Sequence, residues 1–301
     1  SSRGPKTNNS TRNFKMKTLL IASTALVATA GMAFADITMT GHAAAGFHSG
    51  LVDKSTLPGD DADAAEGIYS NAGVDFTMSG ATDNGISFSA SVNIDAGMEV
   101  DTGDFELDGK DGGTAGLGSV SMTGAFGTLT FDDAGIDNLY NGDFTAADVS
   151  YSTTVGAISL SVAHDTSGAA DANSMSAGYA ASGMTFTLAA SEAAAGTSSS
   201  LKVAYALNDS VSVTGKTDQV AGAESVQTIT ASTTLNGVSV ALSSANNSTW
   251  DVDLGYTAGA YALTYGVDET DGWTATATSA LGGGATFAAG VDSNDSMYAG
   301  V

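Results

Sequence analysis

The sequence predicts an all-β protein, a transmembrane antiparallel up-and-down β-barrel. Three observations carry that fold class. Short runs alternate apolar and polar residues with period two, tight-turn residues separate the runs, and an export signal stands in front of them. Composition agrees: of 301 residues, 38 are Gly, 2 are Pro and none is Cys. Scarce proline suits long unbroken ladders, and the lack of cysteine excludes disulfides, thiolate metal sites and thiol catalysis.

The chain divides into three parts. Residues 1–15 are polar, do not begin with Met and read as an upstream extension outside the fold. Residues 16–35 read as a secretory signal peptide. Met16-Lys17 opens it, an apolar stretch runs from Leu19 to Met32, and Ala33-Phe34-Ala35 is a small–x–small cleavage triplet. A spanning helix is the alternative, but Leu19–Ala35 sits at the short limit of a bilayer span. Residues 36–301 then form the barrel, and export removes the protein from the cytoplasm.

Strand follows strand along this mature part. The apolar positions are Phe76 and Met78, then Ile86, Phe88, Ala90, Val92 and Ile94 against Ser87, Ser89, Ser91 and Asn93. Leu129 and Phe131, a run at 149–155, Ile158, Leu160 and Val162, and Met184, Phe186 and Leu188 come next. The pattern continues through Leu201–Leu207, Val211–Val213, a run at 225–235, and Val238–Leu242. It closes with Trp250–Tyr256, Tyr261–Val267 and Phe287–Val291. Turn residues such as Asp83-Asn84-Gly85, Ser182-Gly183, Asn236-Gly237 and Gly282-Gly283-Gly284 separate the runs. Eighteen strands result, with longer connections at Val52–Ile68, Asp101–Ala115 and Asp132–Asp148, and no segment has a helical period.

The two faces of these strands differ in a way that selects a membrane barrel. The apolar face is thin in bulky side chains that would interlock two sheets, as a dry sandwich core requires. The other face is Ser, Thr, Asn, Asp and Gly, which sit comfortably against water. Lipid outside and an aqueous lumen inside match this division, with every backbone group bonded to a neighbouring strand. Tyr69, Tyr151, Tyr179, Trp250, Tyr256, Tyr261 and Trp273 lie near strand ends and are read as interfacial girdles.

Residue blocks then bring in a family. Asp36-Ile-Thr-Met-Thr-Gly-His, the Phe76–Ser91 stretch around Asp83-Asn84-Gly85, and Gly118–Ala134 around Gly124-Ala125-Phe126-Gly127 resemble the general diffusion porins of the alphaproteobacterial outer membrane. The Leu281-Gly-Gly-Gly-Ala turn and closing strands also fit. The clear resemblance covers 36–134 and 281–301. It implies a trimeric, water-filled barrel of 16 strands, against the 18 counted from the turns. It also implies passive passage of small hydrophilic solutes and ions, and an inward constriction loop after the fifth strand. That connection is Asp132–Asp148, with Asp132, Asp133, Asp137, Asp143 and Asp148 as its acids. Two departures stand out: the family's basic wall cluster is reduced to Lys202 and Lys216 on the lumen parity, and the connection is short. The pattern Met297, Ala299, Val301 stops in mid-alternation, which implies a truncated last strand.

Charge narrows the function further. From Asp36 onward the chain has 33 acidic residues, no Arg, and only Lys54, Lys110, Lys202 and Lys216. Such a surface repels phosphate backbones, so nucleic acid is excluded as a partner. Asp251 and Asp253 form the clearest lumen-wall pair, with Asp83 and Asp95 near the lumen. Carboxylates around a pore concentrate cations, so a cation-preferring channel is expected. Clustered acids also suit Ca²⁺, but no calcium-loop spacing is present and no cofactor is expected. His42, His48 and His164 are too dispersed for a zinc motif, and His42 and His48 are read as solvated wall residues. No G-x-S-x-G or H-E-x-x-H occurs, and the acids follow strand alternation, so the chain is not read as an enzyme. Outer-membrane lipid and a homotrimer are the expected partners. The rival reading is a secreted acidic adhesin or surface-layer protein of similar composition, which requires a repeat and bulky inward residues.

Overall fold

The computed structural model describes residues 36–53, 62–63, 66–108, 111–142, 145–167 and 173–301. The upstream extension, the signal segment, Lys54, Lys110 and Asp143 lie outside the described residues. Eighteen strands make one antiparallel sheet. The first six are β1 (Asp36–Ser49), β2 (Gly67–Ala81), β3 (Ser87–Met98), β4 (Asp111–Gly124), β5 (Gly127–Asp137) and β6 (Thr145–Val155). β7 (Ile158–His164), β8 (Asn173–Ala181), β9 (Met184–Ala193), β10 (Gly196–Asn208), β11 (Val211–Gln219) and β12 (Val226–Leu235) follow. β13 (Val238–Ala245), β14 (Trp250–Ala258), β15 (Tyr261–Asp268), β16 (Trp273–Gly282), β17 (Ala285–Asp292) and β18 (Met297–Gly300) complete the barrel. Each strand pairs with the next in sequence, and β18 returns to β1 through Gly46↔Gly300 and His48↔Tyr298, which closes the sheet. The count read from the turns therefore holds, and the 16 implied by the resemblance does not.

The two ends of the barrel differ. Turns of two residues join β6 to β7, β8 to β9, β12 to β13 and β16 to β17 at one end. Ser182-Gly183 and Asn236-Gly237 carry positive φ at both positions, the type I′ geometry that matches strand twist. Longer connections, at 50–66, 99–110, 138–144 and 165–172, gather at the other end. Short turns at one rim and long loops at the other are the membrane-barrel arrangement.

Register assigns every side chain to a face. Ile37, Met39 and Phe47 share a face with their partners Met78, Phe76 and Ile68. These side chains are exposed, Ile37 by 67%, Met39 by 68% and Phe47 by 71%. Following the ladder round the sheet, Leu160, Leu188, Leu201, Leu242, Leu254, Leu263 and Phe287 occupy that same outer face. The inner face carries Thr38, Thr77, Ser91, Thr130, Ser150, Ser161, Thr230, Ser243, Thr264 and Thr276. Among the described residues the barrel is one sheet wrapped round a largely polar interior.

Outward aromatics mark the turn-side rim. Tyr151, Tyr179, Tyr205, Tyr256 and Tyr261 all face outward there, and the Tyr151 hydroxyl donates to the Phe126 carbonyl in the adjacent short turn. Near the loop-side rim, Trp273 stacks on Tyr265 with centroids 6.3 Å apart. An outward polar row, His164 to Asn173 at 2.9 Å and Asn173 to Glu192, limits the apolar band on β7–β9. Such amphipathic rings settle at headgroup level. Tyr69 is a correction to the girdle reading: it shares the inner face with Asn71 and Asp75 and is only 6% exposed.

Candidate pore lining and constriction

The described inner wall is a map of unequal charge. On β1–β3, His42 lies between two carboxylates, with Nδ1 3.6 Å from Asp75 and Nε2 3.3 Å from Asp95. Asn93 donates to the other Asp95 oxygen at 2.7 Å. Gly73 makes this grouping possible. It pairs with both His42 and Asp95, and a Cβ there would overlap the Asp95 carboxylate and the imidazole. His48, by contrast, is only 7% exposed, so the expectation of a solvated wall residue holds for His42 and fails for His48. Its ring lies over Gly67, its partner on β2, where a Cβ would strike the imidazole.

A second acidic region lies on β14–β17. Asp251 and Asp253 face inward, opposite Asp268 and Gly266, and line a cavity of about 640 Å³ with Asp271, Thr274 and Asp292. Asp268 accepts from the Thr270 amide at 2.8 Å, and Asp292 from the Asn294 and Ser296 amides at 2.8 and 2.9 Å. These two carboxylates brace their own loops. The basic wall is β10–β11, where Lys202 and Lys216 are direct inward-facing partners. Lys216 is matched by Asp218 at 2.6 Å. Seven strands lie between β1–β2 and β10–β11 on either side, so the lysines stand across the lumen from His42, Asp75 and Asp95.

The connection after β5 does turn inward, within narrower bounds than expected. β5 runs through Asp137 and β6 starts at Thr145, so Asp132, Asp133, Asp137 and Asp148 belong to strands and the connection is 138–144. Alternation hid this because the ladder is irregular there: Ala134 has φ of +56° and the β5–β6 register shifts twice. Asp148 is a brace, accepting from the amides of Ala134 at 2.9 Å and Thr166 at 2.7 Å. Asp137 accepts from Thr145 Oγ1 at 2.5 Å, Asp132 is half-buried beneath Gly135, and Asp133 is exposed. The residues of this connection that bond inward-facing wall groups are others. Leu139 N–H donates to Ser174 Oγ at 3.0 Å, and the Tyr140 hydroxyl donates to Asp218 at 2.6 Å. Burial and this bond push the Tyr140 hydroxyl up to about 12.

A second inward element escaped the sequence reading. Within the connection after β3, Val100-Asp101 pairs with Glu106-Leu107 as a small hairpin, which Val52-Asp53 joins in parallel. Leu51, Val100, Phe105 and Leu107 pack on inward-facing Tyr69 and Tyr298 in the one buried apolar cluster of the described residues. Short apolar residues embedded in an acidic stretch carry no period, which is why this lobe was illegible.

The Gram-negative porin family model matches residues 22–301. The chain belongs to the Gram-negative porin family. Members of this family are outer-membrane channels and not enzymes, so this porin is placed in the bacterial outer membrane by family and by fold. No curated protein matches it in sequence. Among solved structures, this porin is similar to a variant of OccD1 (OprD), with TM-score 0.56 and 11% identity over 90% of this chain and 96% of that one. It is similar to a BenF-like porin from Pseudomonas fluorescens Pf-5, with TM-score 0.53 and 10% identity over 89% and 96%. A mutant of the Rh. blastica porin aligns with TM-score 0.51 and 14% identity over 88% and 98%. At such identities the likeness concerns the fold alone. The secreted adhesin reading is not favoured, because most large apolar residues of the described strands face outward and are exposed.

Proposed function

We propose that this porin is a passive channel of the general diffusion kind, as in the alphaproteobacterial porins it resembles, and that it prefers cations. The observation that carries the preference is the imbalance of charge on the inward face. Asp75, Asp95, Asp251 and Asp253 line it against Lys202 and Lys216, and Lys216 is already offset by Asp218. Carboxylates on a low-dielectric wall raise the local cation concentration and exclude anions. Small hydrophilic solutes and ions are the cargo, and export depends on removal of the segment 16–35. The lumen is narrowed by connections that fold inward at its loop-side end. A reversal-potential measurement in planar bilayers under a potassium chloride gradient tests the preference. A potential favouring potassium supports it, and one favouring chloride removes it.

A homotrimer is proposed on a separate observation. Every outward Tyr and Trp lies on β6–β16, and the outer faces of β17, β18 and β1–β5 carry only Phe, Ile, Leu, Met, Val and smaller residues. Tyr and Trp mark contact with lipid headgroups. A sector without them is suited to contact with another protomer. Conductance steps in groups of three, or a trimer mass in native mass spectrometry, would support it, and a monomer mass in detergent that preserves function would not.

A further inference from the structure

We infer that residues 99–108, and not the connection after β5, are the inward element that sets the width of this pore. The inference rests on the channel reading and names the part of the chain that narrows the channel. Depth is the first reason. The apolar cluster of the lobe packs against inward-facing Ala44 and Ala288. These positions lie five residues below the end of β1 and four below the end of β17. At about 3.3 Å per residue the apolar seat on which the lobe packs extends roughly 13–17 Å down the wall from the loop-side rim.

The seat is built for that element. The Tyr69 ring lies over Gly46 and Gly300, and the Tyr298 ring over Gly290, in each case where a Cβ would strike the ring. Glycine on three neighbouring strands lets two phenol rings lie flat and form an apolar shelf on an otherwise polar wall. Phe105 stands on Tyr298 with centroids 5.4 Å apart and planes tilted by 56°, and the Tyr298 hydroxyl donates to the Thr102 carbonyl at 3.3 Å. Phe105 has φ of +58°, a conformation a bulky L-residue rarely adopts, held here by burial to 4% exposure. Leu51 is fully buried in the same seat.

The hairpin is stiffened from within. Asp101 accepts from the amides of Gly103 at 2.8 Å and Asp104 at 3.3 Å, and Asp108 N–H donates to Glu99 C=O at 3.0 Å. A preformed, apolar-anchored hairpin obstructs permanently. The connection 138–142 is tethered through the Leu139 amide and the Tyr140 hydroxyl. Seating the lobe also carries the carboxylates of its tip into the channel, which adds to the cation preference.

Single-channel recording of the porin and of two variant sets tests this. Phe105→Ala combined with Leu107→Ala unseats the lobe and is expected to raise conductance about twofold. Tyr140→Phe, which frees the other connection, is expected to leave it within a tenth or so. Because the double variant can fail to refold, single thiols are the second test in this cysteine-free chain. A bulky methanethiosulfonate on Thr102→Cys is expected to halve the current or more, and the same reagent on Gly142→Cys to change it little. A wild-type protein without conductance would remove the channel reading. A conducting wild type blocked at position 142 and not at 102, or widened by Tyr140→Phe and not by the double variant, would overturn the inference.

Discussion

Two connections enter the same lumen and are held by opposite physics. Residues 99–108 are anchored by burying Val100, Phe105 and Leu107 on a tyrosine shelf, while residues 138–142 are tethered by Leu139 to Ser174 and by Tyr140 to Asp218. Burial of apolar area is insensitive to salt and nearly so to pH, whereas a hydrogen bond to a carboxylate depends on both. The comparison teaches that a water-filled barrel can hold one loop rigidly by placing a small dry patch on a wet wall, and leave another adjustable.

The largest expected effect breaks the dry anchor. Phe105→Ala removes a buried ring and should destabilise the lobe by about 3 kcal/mol, read as new protease cleavage within 99–108 while the barrel stays folded. Phe105→Gly relieves the positive φ and should cost about 1 kcal/mol less, which separates ring burial from backbone strain. Tyr140→Phe comes next. It removes a bond to a carboxylate, about 1.5 kcal/mol, and leaves Asp218 to Lys216 alone. The expected readout is greater proteolytic access at 138–142, with the lobe unaffected. Tyr298→Phe keeps the ring and loses only the bond to Thr102, so a change of about 0.5 kcal/mol is expected. If Tyr298→Phe unseats the lobe as strongly as Phe105→Ala, the anchor is polar and the contrast fails.

The smallest effect concerns pH. Burial, followed by the charges of Asp101, Glu99, Glu106 and Asp111, pushes the Asp108 carboxyl above the usual carboxylate range. A raised value means the folded lobe binds the proton more tightly than the unfolded chain does. The stability this group contributes is therefore complete below the ordinary carboxylate range and is lost as pH rises through the raised value. Mild acidification should tighten the lobe and lower conductance. Asp108→Asn should hold that state at neutral pH and flatten the profile. An unchanged profile in Asp108→Asn would show that other acids carry the response.

Much of the barrel was legible because a wet and an oily face demand strict alternation. Trp250, Val252, Leu254 and Tyr256 fall on one side of β14, Asp251 and Asp253 on the other, and Asn236-Gly237 marks a turn by backbone chemistry alone. The inward placement of Tyr69 was also legible, since it shares parity with Asn71 and Asp75, but its position near a strand end suggested a girdle instead. The bounds at Asp132–Asp148 failed where alternation is broken by bulges at Ala134 and around Ala147. The lobe was illegible for a deeper reason. Its partners, Tyr298 and Leu51, are distant in sequence, and only closure of β18 on β1 brings them together.

Passive transport by this porin depends above all on the Ser, Thr and Asp face being wetted by a continuous channel. Liposome swelling with a small uncharged sugar measures that continuity without involving charge. Vesicles carrying the porin should swell at a rate that falls with increasing sugar size. Swelling no faster than in protein-free vesicles, from barrels shown to be folded, would contradict it.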